Sequence, residues 1–288
     1  MKNYLILLRP HQWIKNLFVL IPAFFAGKIA LLFEDYRLIA AVVSFCAIAS
    51  AVYIFNDIRD LEYDRAHELK RNRPLATGSV SKRAAVILMF LLAAVAFAIG
   101  FQISIQFVYV IAGYLLLNIL YSLILKHISL IDIAVIAAGF VLRVIAGGIA
   151  ADVPISQWLI MMTFLLACCL ALGKRRDDLL LDADKNDLRP ALSGYTLGFI
   201  DTCLIVLSVT TIVCYIMYTV SEDVVQRLHS SYLYLTSLFV IIGMLRFLQI
   251  AIVEQKTGSP TLILLKDTLI QVMILLWLAS FFVILYAS

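Results

Sequence analysis

Apolar runs of about 20 residues, the length that crosses a hydrocarbon core, recur along nearly the whole chain and leave room for little else. The spans read from these runs are about 17–33, 37–56, 84–101, 106–125, 130–150, 157–173, 196–220, 231–251 and 267–286. Composition agrees, because 63% of the 288 residues are hydrophobic, against about 45–50% in soluble domains. The expected fold is therefore all-α: a polytopic integral membrane protein of about nine transmembrane helices. No internal repeat, linker or low-complexity tract divides it, so residues 1–288 read as a single domain.

The basic residues are distributed unevenly. With the amino terminus inside, the inner segments 1–16, 57–83, 126–129, 174–195 and 252–266 hold nearly all Lys and Arg, and the outer ones add only Arg37 and Arg227. That asymmetry predicts an inner-membrane protein whose polar caps, 57–83 and 174–195, face the cytoplasm. Residues 1–16 read as an amphipathic lead-in with Trp13 at the interface, and the run beginning at Leu17 as a retained helix rather than a removed signal. All five cysteines fall in apolar runs and are expected to behave as small apolar residues. No Walker loop, dinucleotide fingerprint, Cys/His metal pattern or serine nucleophile motif is present, and no nucleic-acid partner is expected.

Chemistry concentrates at Asn56-Asp57-Ile58-Arg59-Asp60-Leu61-Glu62-Tyr63-Asp64, directly after an apolar run. On a continuous helix Asn56, Asp57, Asp60 and Asp64 share an arc of roughly 100°. Crowded carboxylates repel, and a divalent cation removes that cost; Mg²⁺ takes hard oxygen ligands from one or two carboxylates plus substrate phosphates. Asp57, Asp60 and Asp64 are thus candidate metal ligands. The alternative is a solvated charged loop. Downstream, His67, Lys70, Arg71 and Arg73 precede Pro74, which stops the helix, and Gly78, which permits a turn. These bases are either positive-inside decoration or the other half of a phosphate clamp.

A second polar set, Lys174-Arg175-Arg176-Asp177-Asp178, caps the sixth run and continues through Asp182, Asp184, Lys185, Asp187 and Arg189. Mixed signs suit a phosphorylated substrate better than a bare metal; local ion pairing is the alternative. A third point is Tyr121 with Lys126 and Asp132, around a short inner turn, where Lys126 is either an anchor or a phosphate donor. Arg143 stands inside the fifth run, ahead of Ala146-Gly147-Gly148. Ionisable residues within a span face a cavity or a partner, so Arg143 either pairs with an internal carboxylate or binds an anionic group. Gly147 and Gly148 permit close approach of another helix. Around the last inner loop stand Arg246, Glu254, Lys256, Gly258, Ser259, Pro260, Lys266 and Asp267, with Asp267 placed to cap the ninth helix.

The Asn56-Asp57-x-x-Asp60-x-x-x-Asp64 spacing, Tyr121 with Lys126, and the polar segment after the sixth run resemble the UbiA superfamily of intramembrane prenyltransferases. Arg9-Pro10-x-Gln12-Trp13-x-Lys15-Asn16 and Gly139-Phe140-Val141-Leu142-Arg143 are similar to the branch containing decaprenyl-phosphate phosphoribosyltransferases. The second motif departs from the usual Asp-x-x-x-Asp, because bases stand where a second metal site needs acids. The resemblance implies helices ringed around a central cavity that opens to lipid. It also implies Mg²⁺-dependent transfer of phosphoribose from 5-phosphoribosyl diphosphate to a polyprenyl phosphate. On that expectation Asp57, Asp60, Asp64, Lys15 and Arg143 are catalytic. Asn56, Lys70, Arg73, Tyr121, Lys126, Lys174, Arg175 and Asp178 bind substrate. The rival within the superfamily moves a prenyl group from its diphosphate to an aromatic or other small acceptor. A transporter is the rival from another class, but no paired halves with broken helices are visible.

Overall fold

The computed structural model describes the chain except residues 1, 30, 67–69, 183–189, 256–262, 264–265 and 287–288. Every regular element among the described residues is helical. Seven helices there are long and apolar enough to cross a membrane: α1 (Tyr36–Arg59), α2 (Lys82–Ile103), α3 (Ile105–Leu123), α4 (Ile131–Ala151), α5 (Gln157–Asp182), α6 (Leu197–Val220) and α7 (Leu233–Val253). A shorter apolar stretch, Thr268–Ile284, lies in α8 (Thr268–Tyr286). The protein is an integral membrane protein.

The chain folds as two compact units, residues 1–123 with 142–154, and residues 124–141 with 155–288. The core of the first is built on α1, in which Phe45, Ile48 and Val52 pack with Phe107, Ile111 and Tyr114 of α3 and with Ala146 and Ala150. α2 packs on α1, and the Ser44 hydroxyl donates to the Ala96 carbonyl at 3.0 Å, a helix-to-helix bond of the kind lipid favours. The remaining face of α2 presents Ile87, Phe90, Leu91, Val95 and Phe101 outward. In the second unit Leu172 of α5, Ile200 and Leu204 of α6, and Phe247 and Ile250 of α7 form the core.

The first expected span, 17–33, is not one helix. Residues Pro10–Leu20 wind as a 3-10 helix, Ile21–Phe25 makes about one α-turn, and Gly27 turns the chain with φ 69°. In a 3-10 helix residues three apart eclipse, so Trp13, Asn16 and Val19 fall on one face. That face lies on the core: Trp13 Nε1 donates to Ser50 Oγ at 3.0 Å, Asn16 to the Cys46 sulfur at 3.3 Å, and Val19 is fully buried. Trp13, expected at the membrane interface, is a partner of α1, its N–H meeting the Ser50 hydroxyl.

Gly147 explains how this segment docks. A Cβ at Gly147 would collide with the Val19 carbonyl oxygen and lie 2.8 Å from the Val19 carbonyl carbon, so the close approach expected of this glycine is made by backbone. Gly147→Ala is expected to destabilise the protein by at least about 1–3 kcal/mol, the usual cost of overpacking, since a main chain yields less than a side-chain tip. Thermal unfolding in detergent reads the loss, and an unchanged midpoint would contradict the geometry.

The sixth expected span, 157–173, is also revised. α5 continues to Asp182, so the basic-acidic set is helical rather than a loop, with Arg175, Arg176 and Asp177 buried. At the end of α7 the residues Gln249–Val253 form a π-turn. Arg246 there binds Asp267 at 2.7 Å and Glu254 at 2.6 Å. That guanidinium holds the Asp267 carboxyl below the usual carboxylate range. The other carboxylate oxygen of Asp267 accepts from Ile270 N at 2.9 Å, the cap expected of it at the start of α8.

Candidate functional site

The helical hydrogen-bond pattern carries the first acidic stretch past the end of α1. Asp60 N donates to Asn56 O at 2.9 Å and Asp64 N to Asp60 O at 2.8 Å, although Asp60 closes one helix and Leu61–Ala66 forms the next. Asp57 and Asp64 are turned inward and almost fully buried, 3% and 2% exposed, while Asp60 is half-buried.

Two arginines hold the buried acids. Arg73 Nη1 donates to Asp57 Oδ1 at 3.1 Å and to Asp64 Oδ2 at 2.6 Å, and Arg9 Nη2 donates to Asp57 Oδ1 at 2.5 Å. Asp64 Oδ1 is buried without a hydrogen-bond partner. Among the described residues no three His, Cys, Asp or Glu side chains stand close enough to hold a metal on their own. The compensation that sequence reading assigns to a metal ion is thus made here by guanidinium groups. The chemistry of the donor set still fits a hard divalent cation, because it is all oxygen and includes one buried carboxylate oxygen with an open valence.

Neighbouring groups complete this set. The Ser122 hydroxyl donates to Asn56 Oδ1, one residue after the half-buried Tyr121. The Lys70 ammonium sits 4.8 Å from the Tyr63 ring centroid, and Arg9 lies 5.1 Å from that of Tyr53. Gly78 has φ 75° in the turn after Pro74, as its position requires. Lys15 is half-buried on the 3-10 segment.

Arg143 is 5% exposed. Its Nε donates to Asn16 Oδ1 at 2.9 Å and its Nη2 to the Tyr114 hydroxyl at 2.9 Å. The guanidinium carbon stands 4.8 Å from the Tyr114 ring centroid and 5.8 Å from that of Phe45. These partners are neutral, and they fix the direction of the guanidinium.

In the second unit the fully buried Asp132 organises the polar set. Arg175 Nε donates to Asp132 Oδ2 at 2.7 Å, and Arg175 Nη1 to Asp178 Oδ2 at 3.0 Å. The Tyr195 hydroxyl donates to Asp132 Oδ1 at 2.8 Å and accepts from Leu130 N at 2.6 Å. Burial pushes the pKa of the Tyr195 hydroxyl up. Leu130 has φ 68°, a left-handed backbone rarely adopted by leucine, and the Tyr195 contact holds it there. Arg176 Nε donates to Asp201 Oδ1 at 2.6 Å. Lys174 is exposed, and Lys126 is half-buried on the 3-10 turn Leu125–His127.

Asp132→Asn removes the fully buried one of the two carboxylates that balance Arg175; breaking one side of a buried ion pair typically costs about 3–5 kcal/mol, and Asp178 holds the loss to the lower end. A loss of about 3 kcal/mol in an unfolding experiment is the expected result; Tyr195→Phe should cost less, since it removes one neutral hydroxyl.

Tyr195, Asp201, Ser122 and Tyr114 are not recognised from sequence. Asp201 carried a usable signal, a lone carboxylate just inside an apolar run; the others are unremarkable hydroxyls until the fold brings them to their partners. His67, Asp184, Lys185, Asp187, Arg189, Lys256, Gly258, Ser259 and Pro260 lie outside the described residues, as does the side chain of Asp182.

A profile described as the UbiA prenyltransferase family matches residues 17–256. A protein of Mycolicibacterium smegmatis named decaprenyl-phosphate phosphoribosyltransferase is 34% identical, the match covering 97% of this chain and 91% of that one. One of the same name from Corynebacterium glutamicum is 31% identical over 94% and 82% of the two chains. A solved structure of a UbiA homolog from Archaeoglobus fulgidus bound to GPP and Mg²⁺ superposes with a TM-score of 0.72 at 20% identity, covering 98% of this chain and 99% of that one.

Proposed function

Because the chain belongs to the UbiA prenyltransferase family, we propose that it transfers 5-phosphoribose from 5-phosphoribosyl diphosphate to a polyprenyl phosphate and releases diphosphate, working at the cytoplasmic face of the inner membrane. The names of its relatives support this donor and acceptor. The observation that carries it over prenyl transfer is the state of the second polar set. Asp178, the acid a second metal site would need, is bound to Arg175 at 3.0 Å. A set in which the exposed Lys174 stands beside the carboxylate-paired Arg175 and Arg176 suits a phosphate monoester, the anionic group that phosphoribosyl diphosphate has and a prenyl diphosphate lacks.

Asp57 and Asp64, with Asp60 and Asn56, would hold Mg²⁺ against the diphosphate. When bound, the metal neutralises charge that gathers on the departing group. Arg73 and Lys70 present N–H donors to the same phosphates. Arg143 and Lys15 orient the lipid phosphate or the sugar, and Tyr121 and Lys126 keep the substrate-binding role that the sequence motif gives them. The bond from ribose C1 to the diphosphate oxygen breaks with its electron pair leaving on diphosphate, and a lipid phosphate oxygen forms the new bond to C1. That oxygen is already ionised at neutral pH, so the chain need not supply a base.

The test is mass-spectrometric detection of polyprenyl-phosphoribose from purified protein, polyprenyl phosphate and phosphoribosyl diphosphate, with and without Mg²⁺. Product that vanishes in chelator is expected. Transfer from a prenyl diphosphate to a small acceptor, with none from phosphoribosyl diphosphate, would overturn the reading.

A further inference from the structure

We propose that Arg73, assisted by Arg9, is an exchangeable counter-cation that Asp57 and Asp64 release only when a divalent cation and a diphosphate arrive together, so that each ligand binds tightly only with the other. The proposal rests on the reading that these acids meet metal and diphosphate.

Charge arithmetic at the site gives the coupling its sign. Asp57 and Asp64 are buried, and Arg9 and Arg73 balance them one for one. A divalent cation entering alone would place two positive charges beside two guanidinium groups already satisfied. A diphosphate entering alone would set several negative charges against two carboxylates in a poorly solvated place. Together they nearly cancel, and the arginines change partners from carboxylate to phosphate oxygen, for which a guanidinium is equally well shaped.

The geometry provides for that exchange. Asp64 Oδ1 is buried with no partner, so an oxygen ligand is waiting. Both guanidinium groups are reachable from solvent, the Arg73 side chain being 30% exposed and that of Arg9 22%. Their main chains are held while the side chains move. Arg73 N donates to Lys70 O at 2.9 Å and Thr77 N to Arg73 O at 3.0 Å; Gln12 N donates to Arg9 O at 2.8 Å. Arg9 also keeps the Tyr53 ring as a second partner when its carboxylate is taken by metal.

The experiment uses the full chain in nanodiscs, with Mn²⁺ as the metal probe and inorganic diphosphate as the anion, free Mn²⁺ being held constant. Saturating diphosphate is expected to tighten Mn²⁺ binding to the wild type by about 10-fold or more, and Mn²⁺ to tighten diphosphate binding by the same factor. Arg73→Gln should bind Mn²⁺ alone about 10-fold more tightly than wild type and lose most of the enhancement by diphosphate. Arg73→Lys, which keeps the charge, should keep the coupling. Arg9→Gln gives the same readout in the same direction if the Arg73 variant does not fold. Mn²⁺ affinity unchanged or weakened in the glutamine variants overturns the proposal. Coupling that behaves as expected in a protein that makes no phosphoribosyl lipid leaves the exchange standing and removes the proposed reaction instead.

Discussion

Replacing both Asp57 and Asp64 with asparagine is expected to lower kcat/KM for phosphoribosyl diphosphate by about three orders of magnitude, the upper end of what one preorganised electrostatic contact supplies. Asparagine preserves size and keeps one acceptor oxygen, so the change removes the charge and one ligand oxygen with little change of shape. The fold should survive it. Arg9 and Arg73 lose their carboxylates, but both are partly exposed, and water screens them, so the penalty should fall well short of the about 3–5 kcal/mol typical when a fully buried pair is broken. Kinetics and thermal unfolding measured on the same preparation separate the two effects. Near wild-type turnover in the double variant would remove these acids from the catalytic assignment.

Arg143 gives the second large effect. Arg143→Lys keeps the positive charge, yet turnover should fall by about a hundredfold, the scale set by misplacing a reacting group by an ångström. Lysine is a point charge on a flexible stem. It cannot donate to Asn16 and Tyr114 along two fixed directions and also lie flat near the Tyr114 ring. Arg143→Met is the sharper comparison. It leaves the buried Asn16 and Tyr114 oxygens without their donor, which costs about 1–3 kcal/mol, so a modest fall in unfolding temperature should accompany a loss of turnover per folded molecule. A residue present only to hold α4 in place would show the lower stability alone, with unchanged turnover per folded molecule.

Among the described residues, seven of the nine expected spans correspond to helices long enough to cross a membrane, and they were legible because bilayer thickness imposes a one-dimensional rule on any chain that crosses it. The turn at Gly78 and the close approach at Gly147 were legible for a similar reason, since each depends on a local backbone requirement that glycine meets. The spacing of Asn56, Asp57, Asp60 and Asp64 also followed from helix geometry, and the hydrogen bonds from Asp60 N and Asp64 N maintain it past the end of α1. The break in the first span was less visible. Its three-residue periodicity, Trp13, Asn16, Val19, is written in the sequence, but hydropathy over a long window averages it away.

What the chain's order of residues determined by itself was where lipid would be crossed, where charge would collect, and which family the pattern resembled. Only the tertiary structure decided what that charge does at rest. Arg9 meets Asp57 across 48 positions and Arg175 meets Asp132 across 43, and no local rule links residues so far apart. Electrostatic compensation depends on distance in space and on exclusion of water, and both exist only once the helices have packed.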